Sequence, residues 1–204
     1  MQIFAWGINK PNVQDERSAI INEHWSFMDQ FDDQLIARGP TLSLDGAGAV
    51  TGSIHVAELK NLDEAKRLAF DYPFAKAGLF KEIILSKFTA GLKRTQFEFN
   101  SQPDTLSFFI HCPAKDGAIE ARKGHQEDHQ EYCLSFDDHM ICRGALRNDD
   151  DTWNGSLFFV ELQTKEDAAK FLENEPYNKI GLFDAPTIYP WKKGGRENLS
   201  KSET

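Results

Sequence analysis

One stretch of this chain occurs twice, and that duplication limits the fold more than any other feature. Residues 24–39 read HWSFMDQFDDQLIARG, and residues 129–144 read HQEYCLSFDDHMICRG. The offset is 129 − 24 = 105. It pairs His24 with His129, Phe31 with Phe136, Asp32 and Asp33 with Asp137 and Asp138, and Arg38 with Arg143. After a two-residue slip the match resumes at offset 103, pairing Gly52 and Ser53 with Gly155 and Ser156, and Pro73 with Pro176. A period near 100 residues is far longer than a solenoid repeat, so each copy is a small domain with its own core. The expected organisation is a domain over 1–92, a linker over 93–104, a second domain over 105–192 and a disordered polar tail over 193–204.

Hydrophobic spacing gives the elements of each copy. Residues 2–8 (QIFAWGI) are a short apolar run before a turn, which predicts a buried strand. Over 15–37, Ile20, His24, Phe27, Phe31 and Leu35 recur at spacings of three and four, which predicts a helix closed by Gly39 and Pro40. Residues 41–50 form a loop or hairpin with room for one more short strand. Residues 51–59 alternate, with Ile54 and Val56 on one face and Ser53, His55 and Ala57 on the other. A second helix follows, capped by Asp63, burying Ala65, Leu68 and Ala69, and stopped before Pro73; a strand over 81–88 ends the copy. The second copy repeats this order, with strands over 106–112, 154–162 and 184–191 and helices over 117–142 and 165–174. Residues 89–105 have no counterpart at its end, and 96–99 offer an extra strand. The fold class is α+β: two ferredoxin-like, split βαβ units, each with helices on one face of an antiparallel sheet. The twin's sheet is the simplest cover for the other face, giving an intrachain pseudo-dimer of the dimeric α+β barrel type and leaving further homodimer assembly open.

The totals exclude several partners. A net charge of −9 argues against nucleic acid. No apolar run approaches the ~18–20 residues that cross a bilayer, and the first residues lack a secretory pattern. The three cysteines all lie in the second half, with Cys133 and Cys142 on opposite faces of the expected helix, so reduced thiols and a cytoplasmic setting are expected.

Residues 35–59 (LIARGPTLSLDGAGAVTGSIHVAEL) with 71–80 (DYPFAKAGLF) carry a specific combination. His24, the Arg38-Gly39-Pro40 turn, Thr51-Gly52-Ser53 and the Pro-aromatic…Ala-Gly-Leu-Phe segment together resemble the YciI-like, or YCII-related, domain family. The second copy fits more loosely through His129, Arg143-Gly144, Gly155-Ser156, Glu175-Pro176-Tyr177 and Gly181-Leu182-Phe183. The resemblance implies a dimeric ferredoxin-like fold, here fused into one chain, and a cleft centred on a histidine and an aspartate. It also implies kinship with enzymes that rearrange or dehalogenate small lactone and hydroquinone-type rings. By position, His24 and His129 take the histidine role. The aspartate positions, fifteen residues earlier, hold Asn9 and Ala114, with Asp116 two residues beyond as the substitute acid of the second copy.

The chemistry on offer is general acid–base work by His24 and His129, with Asp116 or Asn9 orienting the ring, set against a core-packing role for both imidazoles. Ser53 and Ser156 offer hydroxyls to a polar substrate or simply bond the backbone. Arg38 and Arg143 offer forks for a carboxylate, or complement a helix C-terminus. Asp32-Asp33 and Asp137-Asp138 read as solvated. His125, His129 and Cys133 share one helix face, but the first copy has Ile20, His24 and Met28 there, so no metal site is expected. The resulting expectation is a binder of a small polar or anionic metabolite. If catalytic, it would act by cofactor-free proton transfer of the lyase, isomerase or dehalogenase kind; the alternative is a non-catalytic ligand-binding or protein-interaction module.

Overall fold

Leu35, Ile36 and Ala37 continue the apolar spacing of the residues before them, yet they leave the helix. In the computed structural model, which describes residues 1–198, the helical stretch is α1 (Gln14–Ala19) and α2 (Ile21–Met28), then a 3₁₀ segment at Asp29–Gln34. The chain then turns into strand β2 (Leu35–Leu42). A short, fully apolar run fits helix or strand equally by period; here pairing with β3 (Val50–Glu58) decides. The first copy is completed by β1 (Gln2–Asn9), α3 (Leu62–Phe70), α4 (Pro73–Lys76) and β4 (Phe80–Ala90). The second copy follows the same order: β5 (Leu106–Pro113), α5 (Ala118–Lys123), α6 (Gln126–Leu134), β6 (Met140–Arg147), β7 (Trp153–Leu162), α7 (Lys165–Asn174), α8 (Pro176–Lys179) and β8 (Thr187–Pro190). Arg38 and Arg143 therefore sit on strands, not at helix ends, and Cys142 belongs to β6 rather than to the helix of Cys133. All three cysteines are free and buried.

Local chemistry accounts for the helix starts. The Asn61 side chain, not Asp63, caps α3 by accepting the Glu64 N–H at 2.9 Å, and Thr164 caps α7 by accepting that of Asp167 at 3.1 Å. Pro73 and Pro176 open α4 and α8, where a missing N–H costs nothing.

The eight strands form one antiparallel sheet in the order β2-β3-β1-β4-β6-β7-β5-β8. The halves join edge to edge, β4 on β6, from Lys87 opposite Arg147 to Ala90 opposite Gly144. The outer edges also meet. Thr41 bridges Trp191, the Lys192 N–H reaches the Pro40 carbonyl at 3.2 Å, and the Gly194 N–H reaches that of Arg38 at 2.8 Å. The sheet is thus closed into a barrel, and the twin covers the inner face as interior rather than as a separate stacked layer. The two seams are equivalent: the Gly91 N–H reaches the Arg143 carbonyl at 2.7 Å, and 194 − 91 = 103. The repeat therefore extends past 89, and Gly91 has a counterpart in Gly194. At both seams a glycine is required by close approach, since a Cβ on Gly39 or Gly144 would strike the carbonyl of Lys192 or Thr89.

Alternation then sorts side chains into three cores. Ile3 and Ala5 face α1–α4, while Phe4 and Trp6 face the barrel interior, as do Ile54 and Val56 from β3. Inside, Phe4 meets its counterpart Phe109 at 5.8 Å, and Phe109 stacks on Phe159 at 5.0 Å. Residues 93–104 are built into this frame. Gln96 lies in a turn rather than a strand; it accepts the Arg38 N–H at 2.7 Å and donates to Gly194 at 2.9 Å. The Ser101 and Thr105 hydroxyls converge on the buried carboxylate of Glu161. Of residues 193–198, expected in a disordered tail, Gly194 bonds to β2 at Arg38 and Arg196–Asn198 form a 3₁₀ turn; 199–204 lie outside the described residues.

Phe109→Ala should cost about 3–5 kcal/mol by removing a barrel-interior ring, whereas Phe70→Ala, on the half-exposed side of α3, should stay within about 0.5 kcal/mol. Urea midpoints of the two variants against the parent chain check the contrast.

Candidate functional site

Between α1, α2 and the outer face of β2 and β3, the first copy holds a cavity of ≈ 610 Å³. Its deep end is Arg17. The position of α1 across the end of β1 carries the guanidinium to Asn9 and Ser53: Nη1 donates to Asn9 Oδ1 at 3.0 Å and Nη2 to Ser53 Oγ at 3.0 Å. Asn9 is itself held by its amide donating to the Val50 carbonyl at 2.9 Å. The guanidinium lies 4.0 Å from the Phe74 ring centre. Burial pushes its pKa down. Both polar partners are neutral, and among the described residues no carboxylate pairs with Arg17.

His24 borders the same cavity from α2. Its ring stacks on Phe74 at 4.9 Å, meets Tyr72 edge-on at 5.4 Å and lies 4.5 Å from Trp25. Nδ1 is buried with no hydrogen-bond partner among the described residues. Burial, then the positive field of His55, Arg17, Arg38 and Arg196, brings its pKa down to about 2. His55, on β3 and 4.9 Å from Tyr72, is brought to about 3 chiefly by burial, and the Tyr72 phenol is pushed up to about 12. At neutral pH the group is two neutral imidazoles and a neutral phenol beside a cation. Arg38 on β2 reaches inward and pairs with Asp32 at 2.6 Å, so Asp32 is an ion-pair partner rather than a merely solvated residue. The strap at 192–198 closes the wall with Lys192, Lys193, Gly194 and Asn198, and the described lining contains no aspartate or glutamate.

The second copy keeps the frame and inverts the chemistry. His129 on α6 shares a 2.6 Å hydrogen bond between Nδ1 and Glu175 Oε1. Glu175 is wholly buried, and its other oxygen accepts the Asn178 N–H at 2.8 Å. The carboxylate at His129 thus comes from the α7–α8 junction. Asp116, the acid expected from sequence, is exposed in the turn after β5, and Ala114 supplies none. Offset 103 places Glu175 where the first copy has Tyr72, Trp153 at Val50, Phe158 at His55 and Tyr177 at Phe74. Trp153 is 4% exposed, and Arg122, the counterpart of Arg17, lies 5.0 Å from its ring. Tyr177 stacks flat on His129 at 4.1 Å. Two rings of the second site, Trp153 and Phe158, thus stand where the first has the smaller Val50 and the more polar His55. Ser156 is buried on β7, and Arg143 pairs with Asp137 at 3.0 Å, as Arg38 does with Asp32. His125 turns to Asp128 at 3.4 Å, and no metal-binding group of His, Cys, Asp and Glu gathers among the described residues.

The profile of the YCII-related domain matches residues 1–89 and again 106–192. A protein of Haemophilus influenzae (strain Rd), described only as uncharacterised, is 30% identical over 92 residues, which are 42% of this chain and 92% of that protein. Among solved structures, the 5-chloro-2-hydroxyhydroquinone dehydrochlorinase of Burkholderia phenoliruptrix AC1100, in complex with 2,5-dihydroxybenzoquinone, is 25% identical. The match covers 46% of this chain and 100% of that one, at a TM-score of 0.42. A chlorite dismutase variant from Candidatus Nitrospira defluvii matches 100% of this chain and 95% of its own at a TM-score of 0.59 and 13% identity, a likeness of fold across the whole barrel. No described helix is long and apolar enough to cross a membrane.

Two measurements follow from the site geometry. His24 and His55 have folded-state pKa values below the ordinary 6.5, so the unfolded chain takes up protons first and stability falls as pH drops below about 6.5 toward those values. His55→Phe, which installs the second copy's residue, should flatten the fall in urea stability between about pH 7 and about pH 5. Glu175→Ala should cost about 1–3 kcal/mol by orphaning the His129 ring and the Asn178 N–H, and Glu175→Gln less, read from denaturant midpoints.

Proposed function

Because the chain belongs to the YCII-related domain family in both of its halves, we propose that it binds a small anion in the first-copy cavity, with Arg17 as its counter-charge. The observation that carries this reading is a half-buried guanidinium whose hydrogen-bond partners among the described residues are neutral, facing a cavity whose described lining includes no acid. A cation withdrawn even partly from water is better held when an opposite charge meets it, and a carboxylate-sized ligand supplies that charge. Each terminal nitrogen of Arg17 bonds once to the protein and keeps a second N–H for the ligand. His24, through its unpartnered Nδ1, and the Tyr72 hydroxyl supply neutral hydrogen-bonding groups beside it. Asn9 and Ser53 act by holding Arg17, and Arg38, paired with Asp32, adds to the positive field.

Binding without turnover is the reading favoured for this cavity. His24 has no carboxylate on its ring, and the cations around it oppose the imidazolium that proton abstraction would create. Cofactor-free proton transfer of the lyase or isomerase kind has its support in the second copy. There the His129–Glu175 pair has the carboxylate–imidazole form of an oriented base, with Arg143 and Ser156 as the counterparts of Arg38 and Ser53, but Tyr177 stacks flat on the ring.

Calorimetric titration with acetate and lactate tests the proposal. Arg17→Gln should weaken both by at least about tenfold, the scale of one lost charge-assisted contact. Val50→Trp, which copies Trp153 into the first site, should abolish uptake while leaving the thermal unfolding transition in place. Undiminished affinity in Arg17→Gln would remove the anion from this cavity.

A further inference from the structure

The cavity has a second property that a bare counter-charge does not explain. Beside Arg17 and polar lining such as Gln14, Ser18, Lys192 and Lys193, its walls carry an apolar set, Ile21, Trp25, Pro40, Leu42 and Val50. At ≈ 610 Å³ it is in the size range of sites for organic ligands, and a short inorganic anion would leave those walls facing water. The ring at the wall is Trp25. Phe74 is 1% exposed, bracketed by the Arg17 guanidinium at 4.0 Å and the His24 ring at 4.9 Å, and Tyr72 is 2% exposed. Trp25 is only half-buried, and it is braced by Arg196, whose guanidinium lies 5.5 Å from the indole and pairs with Asp29 at 3.1 Å. Room and ring occur together: the second copy, with Trp153 in place of Val50, has Gln130 in place of Trp25.

Building on the anion reading above, we infer that the ligand is an aryl carboxylate, its acid group at Arg17 and its flat ring against Trp25. The apolar side chains take the ring, and the strap at 192–198 adds Lys192, Lys193 and Asn198 to the lining. Aromatic contacts add attraction beyond buried area, so a planar ring is preferred over a saturated one of similar size and equal charge.

Titration of the full chain with benzoate, cyclohexanecarboxylate and acetate, followed by calorimetry and tryptophan fluorescence, tests this. Benzoate should bind roughly three- to tenfold more tightly than cyclohexanecarboxylate, and acetate more weakly than either. Trp25→Leu should bring benzoate down to the level of the saturated acid and leave acetate unchanged, while Trp25→Phe, which keeps a ring, should preserve the preference. Arg17→Gln should weaken all three acids together. Equal affinities for benzoate and cyclohexanecarboxylate, or a preference that survives Trp25→Leu, would overturn the aryl assignment while the loss in Arg17→Gln still upheld anion binding. Failure of all three acids to bind, or indifference to Arg17→Gln, would overturn both.

Discussion

A four-stranded antiparallel unit has two open edges and one bare apolar face, and neither half of this chain can leave them to water. Joining the halves resolves both at once. The edges pair, β4 with β6 and β2 with the backbone after β8, and the curl this imposes turns Phe4, Trp6, Ile54 and Val56 into an interior shared with Phe109, Leu157 and Phe159. The site depends on that closure. The strap that seals the β2 edge also walls the cavity beside Arg17, so a residue at position 194 of the second copy helps define a pocket built from residues 14–74 of the first.

The same frame carries opposite electrostatics in its two halves. In the first, a half-buried arginine is held by an amide and a hydroxyl, and the histidine ring is kept neutral by burial and by neighbouring cations. In the second, a buried carboxylate takes the place of the phenol and bonds the histidine directly, while Arg122 rests against aromatic faces. In one half no described carboxylate meets the arginine; in the other a carboxylate meets the histidine.

Periodicity made the framework legible. The alternation of residues 51–59 put Ile54 and Val56 opposite Ser53 and His55, and β3 places them so. The overrun of the first helix came from Leu35–Ala37, whose apolar run satisfies two periods and is settled by non-local pairing with β3. That error misplaced Arg38 and Arg143. Asp116 is near the aspartate position only in sequence, whereas Glu175 reaches His129 from 46 residues away. A signal existed: offset 103 aligns Glu175 with Tyr72, an acid directly before the proline that both copies keep. Arg17 and Arg122 also align, at offset 105, but they lie just before the stretch where the repeat is dense.

Trp153 shows what covalent fusion permits. In a homodimer of identical chains every substitution is installed twice, so a bulky ring that fills one site fills its mate as well. With the two copies encoded separately, one chamber is free to fill with core side chains while the opposite chamber stays hollow.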